Sequence, residues 1–567
     1  MREFETSARV TTMLAKGKIL GPGETSAHMF ERVVNTLFAV ESTWNTDPGE
    51  TRTNKEVFTN FMLDHAISPG TPTLTNAGRS EYTQAALSSC VVIPVDLRKP
   101  DEAAARIRNY YRQNMGSGFD FTPYDDPVGL LTWLNDLSAK ETASGQYDRY
   151  IGNMGNLHVS HPKIRDFIRA KRDTSMKHFN ISIDVSEEFM QAAIEHTSYR
   201  LADGTRVDAH GLLEEMAECA HHNGDPGLIS LERMNRDNPI RNISSYTSAP
   251  PCSEMGLAPG ETCQFGYINL SKFVTPDGID YKRLSEATMV MSRALDNAIE
   301  ISRKGFPDEE SQRLATLKRK IGIGVCGLAD TLIQLGIPYG SAEGRMVAQN
   351  MLASINFASK VASVQLAQQR GSCGAMADHV NNEYYHGFIE SRYARHPTYS
   401  VSRRAWLTLA SYIKRTGYLR NILTTALPPT GRTSILLGAT SSIEPLFSLH
   451  NLNEGTERII TSFLQQRIDD VSENVLDRAR KQGTFQQGLL PDEDVLKTVK
   501  EIPFIDQLLM VAAISVVYDE AVSKTVNLPA TASVQDVLDV FTVSHRLGLK
   551  NITVYRDKSY DDQPISL

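Results

Sequence analysis

The stretch PPCSEMGLAPGETCQFGYINL, residues 250–270, places Cys252 and Cys263 eleven positions apart in a 567-residue chain with six cysteines. Four readings are open for the two thiols: quiet core residues, metal ligands, a disulfide, or chemistry. The remaining cysteines, Cys90, Cys219, Cys326 and Cys373, are scattered, with no CxxC or other metal-ligand spacing. No metal site is expected. In a reducing compartment a structural disulfide framework is not expected either, so a pair that oxidises does so within a reaction cycle. In an extended loop, side chains two apart share a face, which sets Cys252 beside Glu254 in P-C-S-E. A buried thiol followed by a surface glutamate fits the same residues.

Working outward, strand-like alternation appears in GYINLSKFV (266–274), FNISIDVS (179–186), IGIGVCG (321–327), RTSILLG (432–438) and NITVY (551–555). CVVIPVDL (90–97) also has strand character. Long amphipathic helices lie between, RLSEATMVMSRALDNAIEISRKG (283–305) and AEGRMVAQNMLASINFASKVASVQLAQQRG (342–371) among them. Strands separated by such helices predict an α/β fold with crossover connections, a closed barrel being the expected form. AHMFERVVNTLFAVES and NKEVFTNFML make residues 1–60 a helical N-terminal segment. No repeat, low-complexity tract or linker divides the rest, so 61–567 reads as one catalytic domain.

Composition narrows the function. Hydrophobic residues make up 41% and charged residues 22%, ordinary for a globular chain with a substantial core. A formal charge of −8 and a pI near 6.0 argue against holding nucleic acid by bulk electrostatics. MREFETSARVTTMLAKGKIL lacks the apolar core of a signal peptide, and no apolar run is long enough to span a bilayer, so a cytoplasmic protein without a membrane partner is expected.

PPTGRTSILLG (428–438) combines a turn, hydroxyls and one cation, Arg432, which suits a phosphate cradle. A plain loop capped by Ser and Thr fits it equally. SPGTPTLTNAG (68–78) offers a second hydroxyl-rich turn.

Taken in order, SPGTPTLTNAG, LSSC (87–90), MGSGFDF (115–121), NMGNLHVSHPKIRDFI (153–168), FNISIDVSEEFM (179–190), GDPGLISLERMNRDNP (224–239), PPCSEM (250–255), ETCQFGYINLSKFV (261–274), KIGIGVCGLADTLIQLGIPY (320–339), PPTGRTSILLGATSSIEPLF (428–447) and NITVYRDKS (551–559) resemble the catalytic subunit of ribonucleotide reductase. The adenosylcobalamin-dependent class II form is the most similar variant. The resemblance implies a ten-stranded α/β barrel with a finger loop through its centre. It implies that Cys252 is the thiyl-radical cysteine that takes the 3′ hydrogen of the ribose, held in a buried loop. Glu254 matches the general base on the 3′-OH, and Cys90 and Cys263 match the pair that delivers reducing equivalents and ends as a disulfide. Thr71, Ser88 and Ser89 would line the substrate end, with Pro250 beside them. Thr430, Gly431, Arg432, Thr433 and Ser434 match the loop that holds the substrate phosphates. Cys219, Cys326 and Cys373 match no catalytic position and are assigned to packing.

Adenosylcobalamin is the implied cofactor, because the tyrosine pair of members with a separate radical subunit is replaced by Val554-Tyr555 and no glycine follows Gly548 for a glycyl radical. Implied partners are a nucleotide substrate, an external thiol or thioredoxin-like reductant, and a second copy in a homodimer. Three departures stand out. The family writes N-P-C-G-E where this chain has Pro250-Pro251-Cys252-Ser253-Glu254, and proline has neither an amide side chain nor an N–H. The effector-reading region is rewritten as DDPVGLLTWLNDLSAKETASGQYDRYIGNM (125–154), without the family's arginine-glycine run. SYDDQPISL (559–567) carries no cysteine pair to re-reduce the active site. A reductase specialised for one particular or modified nucleotide is therefore the second reading, and a non-catalytic paralogue the third.

Overall fold

The computed structural model describes residues 4, 6–44, 46–79, 86–145, 151–172, 176–450, 452–467, 474–485 and 493–559. The segment GQYDRY, apart from Gly145, and the C-terminal SYDDQPISL beyond Ser559 lie outside the described residues.

The N-terminal helices start where the sequence supplies caps. Thr25 Oγ1 accepts the His28 N–H at 3.2 Å to open the helix Ser26–Ala39. Asp47 accepts the Glu50 N–H at 2.9 Å, with proline at the first position, to open Pro48–Leu63. Between them the chain makes a short 3-10 turn, Val40–Trp44. Farther on, Tyr281–Arg303 buries Leu284, Ala287, Met291, Ala294, Leu295 and Ala298, one face at helical spacing, and packs along Ala342–Arg370.

The strands in chain order begin with β1 (Ile67–Pro69), β2 (Cys90–Val92), β3 (Gly116–Asp120), β4 (Asn153–His158) and β5 (Phe179–Asp184). A small hairpin of β6 (Ser198–Arg200) and β7 (Arg206–Asp208) precedes β8 (Gly227–Ile229). Then β9 (Thr262–Cys263) leads through Gln264 into β10 (Phe265–Asn269). A second hairpin, β11 (Val274–Thr275) with β12 (Gly278–Ile279), is followed by β13 (Gly322–Cys326), β14 (Thr525–Leu528) and β15 (Asn551–Arg556).

Pairing orders these strands into two parallel halves. β2, β3, β4, β5 and β8 lie side by side, all parallel. In the other half β10 is parallel to β13 and β14 to β15, and single parallel bridges, Ile323 to Thr425 and Leu427 to Val522, connect the two pairs through residues 424–427. The halves meet antiparallel at both seams, β15 on β8 and β9 on β2. The barrel path is therefore traceable around the molecule, although its ladder is continuous over eight strands and three strands and thins to single bridges at 424–427.

One local reading of the sequence needs correction, and two strands lie where periodicity gives no signal. RTSILLG is not a strand: Gly431–Leu437 is a helix burying Thr433, Ser434, Leu436 and Leu437. Its β-branched residues suggest extension, but the preceding extended segment ends at Pro428-Pro429, and the next turn packs at helical spacing. The converse holds for β3 and β4. GSGFD and NMGNLH lack apolar alternation because glycines stand where the finger segment and the Phe121 ring pack too closely for a side chain, and Asn156 bonds the finger. A Cβ at Gly118 would collide with Ala249 O, and one at Gly116 would lie 3.1 Å from Pro251 Cγ. Among the described residues, no helix is long and apolar enough to cross a membrane.

Candidate active site

What presses on β3 is the segment that leaves the helix Leu231–Arg236 and returns at β9. It doubles back through an antiparallel bridge, with the Thr247 N–H on Leu257 O at 3.0 Å and the Leu257 N–H on Ser248 O at 2.9 Å. Its tip is a turn in which the Ser253 N–H reaches Pro250 O at 2.8 Å. Ser253 holds a φ of +56°, a left-handed conformation that side chains other than Gly, Asn and Asp rarely adopt.

Polar side chains of both halves clamp this finger. From β4, Asn156 Nδ2 donates to Thr247 O at 3.2 Å and its Oδ1 accepts from Ser248 Oγ at 2.5 Å. From β5, Asn180 Nδ2 donates to Pro251 O at 2.9 Å. From the other half, Lys320 Nζ donates to Gly256 O at 2.7 Å, and Glu520 Oε2 accepts the Gly256 N–H at 3.3 Å. Lys320 also bridges Glu520 at 2.8 Å and Glu261 at 3.1 Å, while Lys318 bridges Glu261 at 2.5 Å. The Tyr246 ring lies 4.5 Å from Lys320 Nζ and 5.1 Å from Lys318 Nζ. Burial pushes Lys318 down to about 8, against the attraction of Glu261.

The thiols gather at the finger tip. Cys90 opens β2 and lies directly opposite Cys263 on β9, so both side chains stand on one face of the ladder. Cys263 Sγ donates to Cys90 O at 3.6 Å. A Cβ on Gly116 would be 3.2 Å from Cys90 Sγ and 3.1 Å from Pro251, which sets that sulfur against the tip. Met255 and Leu257 of the finger pack with Cys90, Val92, Cys263, Phe265 and Tyr267 in a small apolar cluster. Burial pushes the Cys263 thiol well above its ordinary range, and Cys90 and Glu254 add to the rise.

Cys252 and Glu254 occupy different environments. Glu254 is buried, whereas solvent reaches Cys252. The loop is not extended here: the Pro250–Ser253 turn and the left-handed Ser253 bend the chain between them. The expectation of burial holds for the loop as a whole and not for this thiol.

The remaining candidates border the same cluster. Ser89 N–H donates to Cys263 O at 2.9 Å, and the Cβ position of Gly70, next to Thr71, is 3.6 Å from Ser89 Oγ. Ser88 Oγ donates to Gln264 Oε1 at 3.3 Å, and Gln264 Nε2 donates to Thr73 Oγ1 at 3.1 Å. Pro250 is buried and contributes its carbonyl to the turn. On the other side, Tyr267 Oη donates to Pro429 O at 3.5 Å, joining the loop before Gly431–Leu437 to the cluster. Thr430 caps that helix and accepts the Ser442 N–H on Oγ1 at 2.6 Å. Gly431 and Arg432 are exposed, whereas Thr433 and Ser434 are buried, and the Arg432 guanidinium approaches Gly17 of the N-terminal segment, 3.3 Å from a Cβ there. Cys219, Cys326 and Cys373 are buried elsewhere.

Sequence reasoning missed Tyr246, Gln264, Lys318, Lys320 and Glu520. The one signal was charge crowded against apolar runs, in LKRKIGIGV (317–325) and VVYDEAV (516–522). Among the described residues, no three His, Cys, Asp or Glu side chains are grouped to hold a metal ion.

Known proteins share this architecture. The family described as ribonucleotide reductase, barrel domain, matches residues 123–555. A vitamin B12-dependent ribonucleoside-diphosphate reductase of Mycobacterium tuberculosis strain CDC 1551 is 31% identical over 606 aligned positions, covering 100% of this chain and 81% of that protein. One of the same name from Thermoplasma acidophilum is 31% identical, covering 88% of this chain and 65% of that protein. The solved Actinobacillus ureae class Id ribonucleotide reductase alpha subunit superposes with a TM-score of 0.77 over 98% of each chain at 17% identity, a likeness of fold. With two parallel halves around a clamped finger loop, and a family match over most of its length, the chain belongs to the ribonucleotide reductase family.

Proposed function

We propose that the chain reduces a ribonucleotide to its 2′-deoxyribonucleotide, with a thiyl radical on Cys252 and the dithiol Cys90 and Cys263 as reductant. The observation that carries the reading is the cross-strand register of Cys90 and Cys263 beside the finger tip. Two thiols directly opposite on an antiparallel ladder can meet without backbone travel, as forming a disulfide requires. The balance is complete: the pair gives up two electrons and two protons, an S–S bond forms, the 2′ C–O bond breaks, the oxygen leaves as water and C2′ gains hydrogen. Burial keeps Cys263 protonated at neutral pH, the state from which it gives hydrogen. Glu254 serves as base on the 3′-OH, and Cys252 takes and returns the 3′ hydrogen.

The cofactor in this reading is adenosylcobalamin. The relatives of 31% identity, both described as vitamin B12-dependent, support this cofactor. The exposed Cys252 thiol is the group it would face. Bound adenosylcobalamin supplies a carbon-centred radical. Thr71, Ser88 and Ser89 bind the substrate end, Thr430, Gly431, Arg432, Thr433 and Ser434 hold its phosphates, and an external thiol or thioredoxin-like protein re-reduces the disulfide. A homodimer in a cytoplasmic setting completes the reading. Pro250 favours a narrower version in which one particular or modified nucleotide is the substrate, since proline offers the sugar no donor.

Incubation with adenosylcobalamin, dithiothreitol and each ribonucleoside di- and triphosphate tests this, with deoxy products read by chromatography. The expected result is product that Cys252→Ala abolishes while the melting temperature is retained. Turnover that survives Cys252→Ala would overturn the radical assignment, and product only after Pro250→Asn would establish the narrower version.

A further inference from the structure

At the root of the finger loop, the end away from Cys252, the fold forms a cleft of about 710 Å³ that is open to solvent on one side. Arg236, Arg241, Arg392, Arg395 and Lys550 line it, with Asp237 the one carboxylate among the lining residues. In a chain with a formal charge of −8 this is a local excess of positive charge.

The carboxylate does not balance it. Asp237 is shared between Arg392 and Lys550, the latter at 3.0 Å. Glu187 lies 3.6 Å from Arg236 and leaves Arg241 and Arg395, both exposed, toward the opening. Arg392 lines the cleft with its side chain 9% exposed, and its buried Nε–H has no hydrogen-bond acceptor among the described residues. Burial and the neighbouring Arg392 lower Lys550 to about 8, as expected where cations face one another with too little negative charge between them. Guanidinium forks match phosphate oxygens two at a time, and the volume is that of a small-ligand site. The half-exposed Tyr384 ring adds an aromatic surface at the rim.

We propose that this cleft binds a small ligand bearing two or more phosphates. The site is distinct from the 430–434 loop and lies where a ligand acts on the finger. Asp237 starts the finger segment, Lys550 immediately precedes β15, and Arg392 also donates to Ser515 O at 3.0 Å and Tyr518 O at 2.5 Å, two residues before the Glu520 that clamps Gly256. Phosphates that engage Arg392 and Lys550 compete with Asp237 and so shift the anchoring of the root.

Isothermal titration of the full chain with tripolyphosphate at low ionic strength tests the proposal, in the parent, in R241A/R395A, whose changes are at exposed positions, and in Arg432→Ala as a report on the other loop. The expected result is a saturable binding component that is weakened at least about tenfold, about 1.4 kcal/mol, in R241A/R395A and is retained in Arg432→Ala, which removes only binding at the 430–434 loop. ATP that binds more tightly than tripolyphosphate, with the difference lost in Tyr384→Ala, identifies the ligand as a nucleotide; equal affinity identifies a bare polyphosphate; both support the site. Absent binding in the parent, or binding lost in Arg432→Ala and retained in R241A/R395A, overturns it.

Discussion

At the scale of single residues, Asp184 shows how burial sets chemistry. It ends β5 in an enclosed position where burial pushes its carboxyl up to about 7, Asp120 and Glu232 add to the rise, and the Leu231 N–H opposes it from 2.8 Å. The folded state holds a proton that the unfolded chain releases, so stability falls as pH rises from about 4 to about 7, by up to about 1.4 kcal/mol per unit. Asp184→Asn keeps an acceptor for Leu231 and removes the charge. We expect melting curves of variant and parent to coincide near pH 4 and to separate in favour of the variant by pH 8; a gap independent of pH would refute the assignment. At the proposed active site, Cys90→Ser is expected to block repeated turnover in dithiothreitol, measured as product per enzyme, because no disulfide can form. That Cys90 and Cys263 meet beside the loop carrying Cys252 and Glu254 was legible from collinear motifs. The exposure of Cys252 was not, since it depends on the φ of Ser253, and serine at that position gives no warning of a left-handed turn.

At the scale of elements, the finger loop is held by charge as well as by packing. Lys318, Glu261, Lys320 and Glu520 form a buried chain of ion pairs, and its last two members, Lys320 and Glu520, hold both polar atoms of the Gly256 backbone. Removing one member leaves a charge without its counter-ion in a low dielectric, at a cost of about 3–5 kcal/mol. Lys320→Met is therefore expected to lower the melting temperature sharply, and Lys320→Met/Glu520→Gln to recover part of the loss. In the function proposed above, the single variant lowers kcat more than it raises KM, because the finger carries Cys252 and not the phosphate loop. Equal melting temperatures for the two variants would argue that the network is ornamental. Periodicity found the apolar strands β5, β10, β13 and β15, whose side chains meet side chains. It did not find β3 and β4, where Gly116, Gly118 and Asn156 face the finger and Gly155 faces the Phe121 ring, and it misread Gly431–Leu437, where β-branched residues sit in a helix.

At the scale of the whole molecule, the N-terminal helices and the barrel share one apolar core, in which Phe30, Val33, Leu37 and Phe58 are continuous with Met291, Leu295 and Ile323. The sequence suggested the helical character of this segment, but its attachment rests on a residue that no pattern singles out. Glu41, in the turn between the first helices, is fully buried. It accepts from Arg370 at 2.8 Å, Asn297 at 2.9 Å and Thr51 at 3.1 Å, and lies 3.6 Å from Arg293. Arg370 in turn stacks 4.2 Å from the centre of the Trp44 ring and bridges Asp296, which Arg319 and Arg420 also reach. These arginines hold Asp296 far below the usual carboxylate range despite its burial. Four guanidiniums, those of Arg293, Arg319, Arg370 and Arg420, thus converge on Asp296 and Glu41. If that convergence couples the segment to the barrel, the two unfold together. We expect one calorimetric transition for the intact chain, and Glu41→Ala, which leaves Arg370 with Asp296 and Arg293 with Glu50 but removes their shared acceptor, to lower it by about 1.5–3 kcal/mol for each charged hydrogen bond lost, without splitting it. Two resolved transitions in the parent would show instead that residues 1–60 fold as a unit of their own, and the charge network would then be a seam between bodies rather than part of one core.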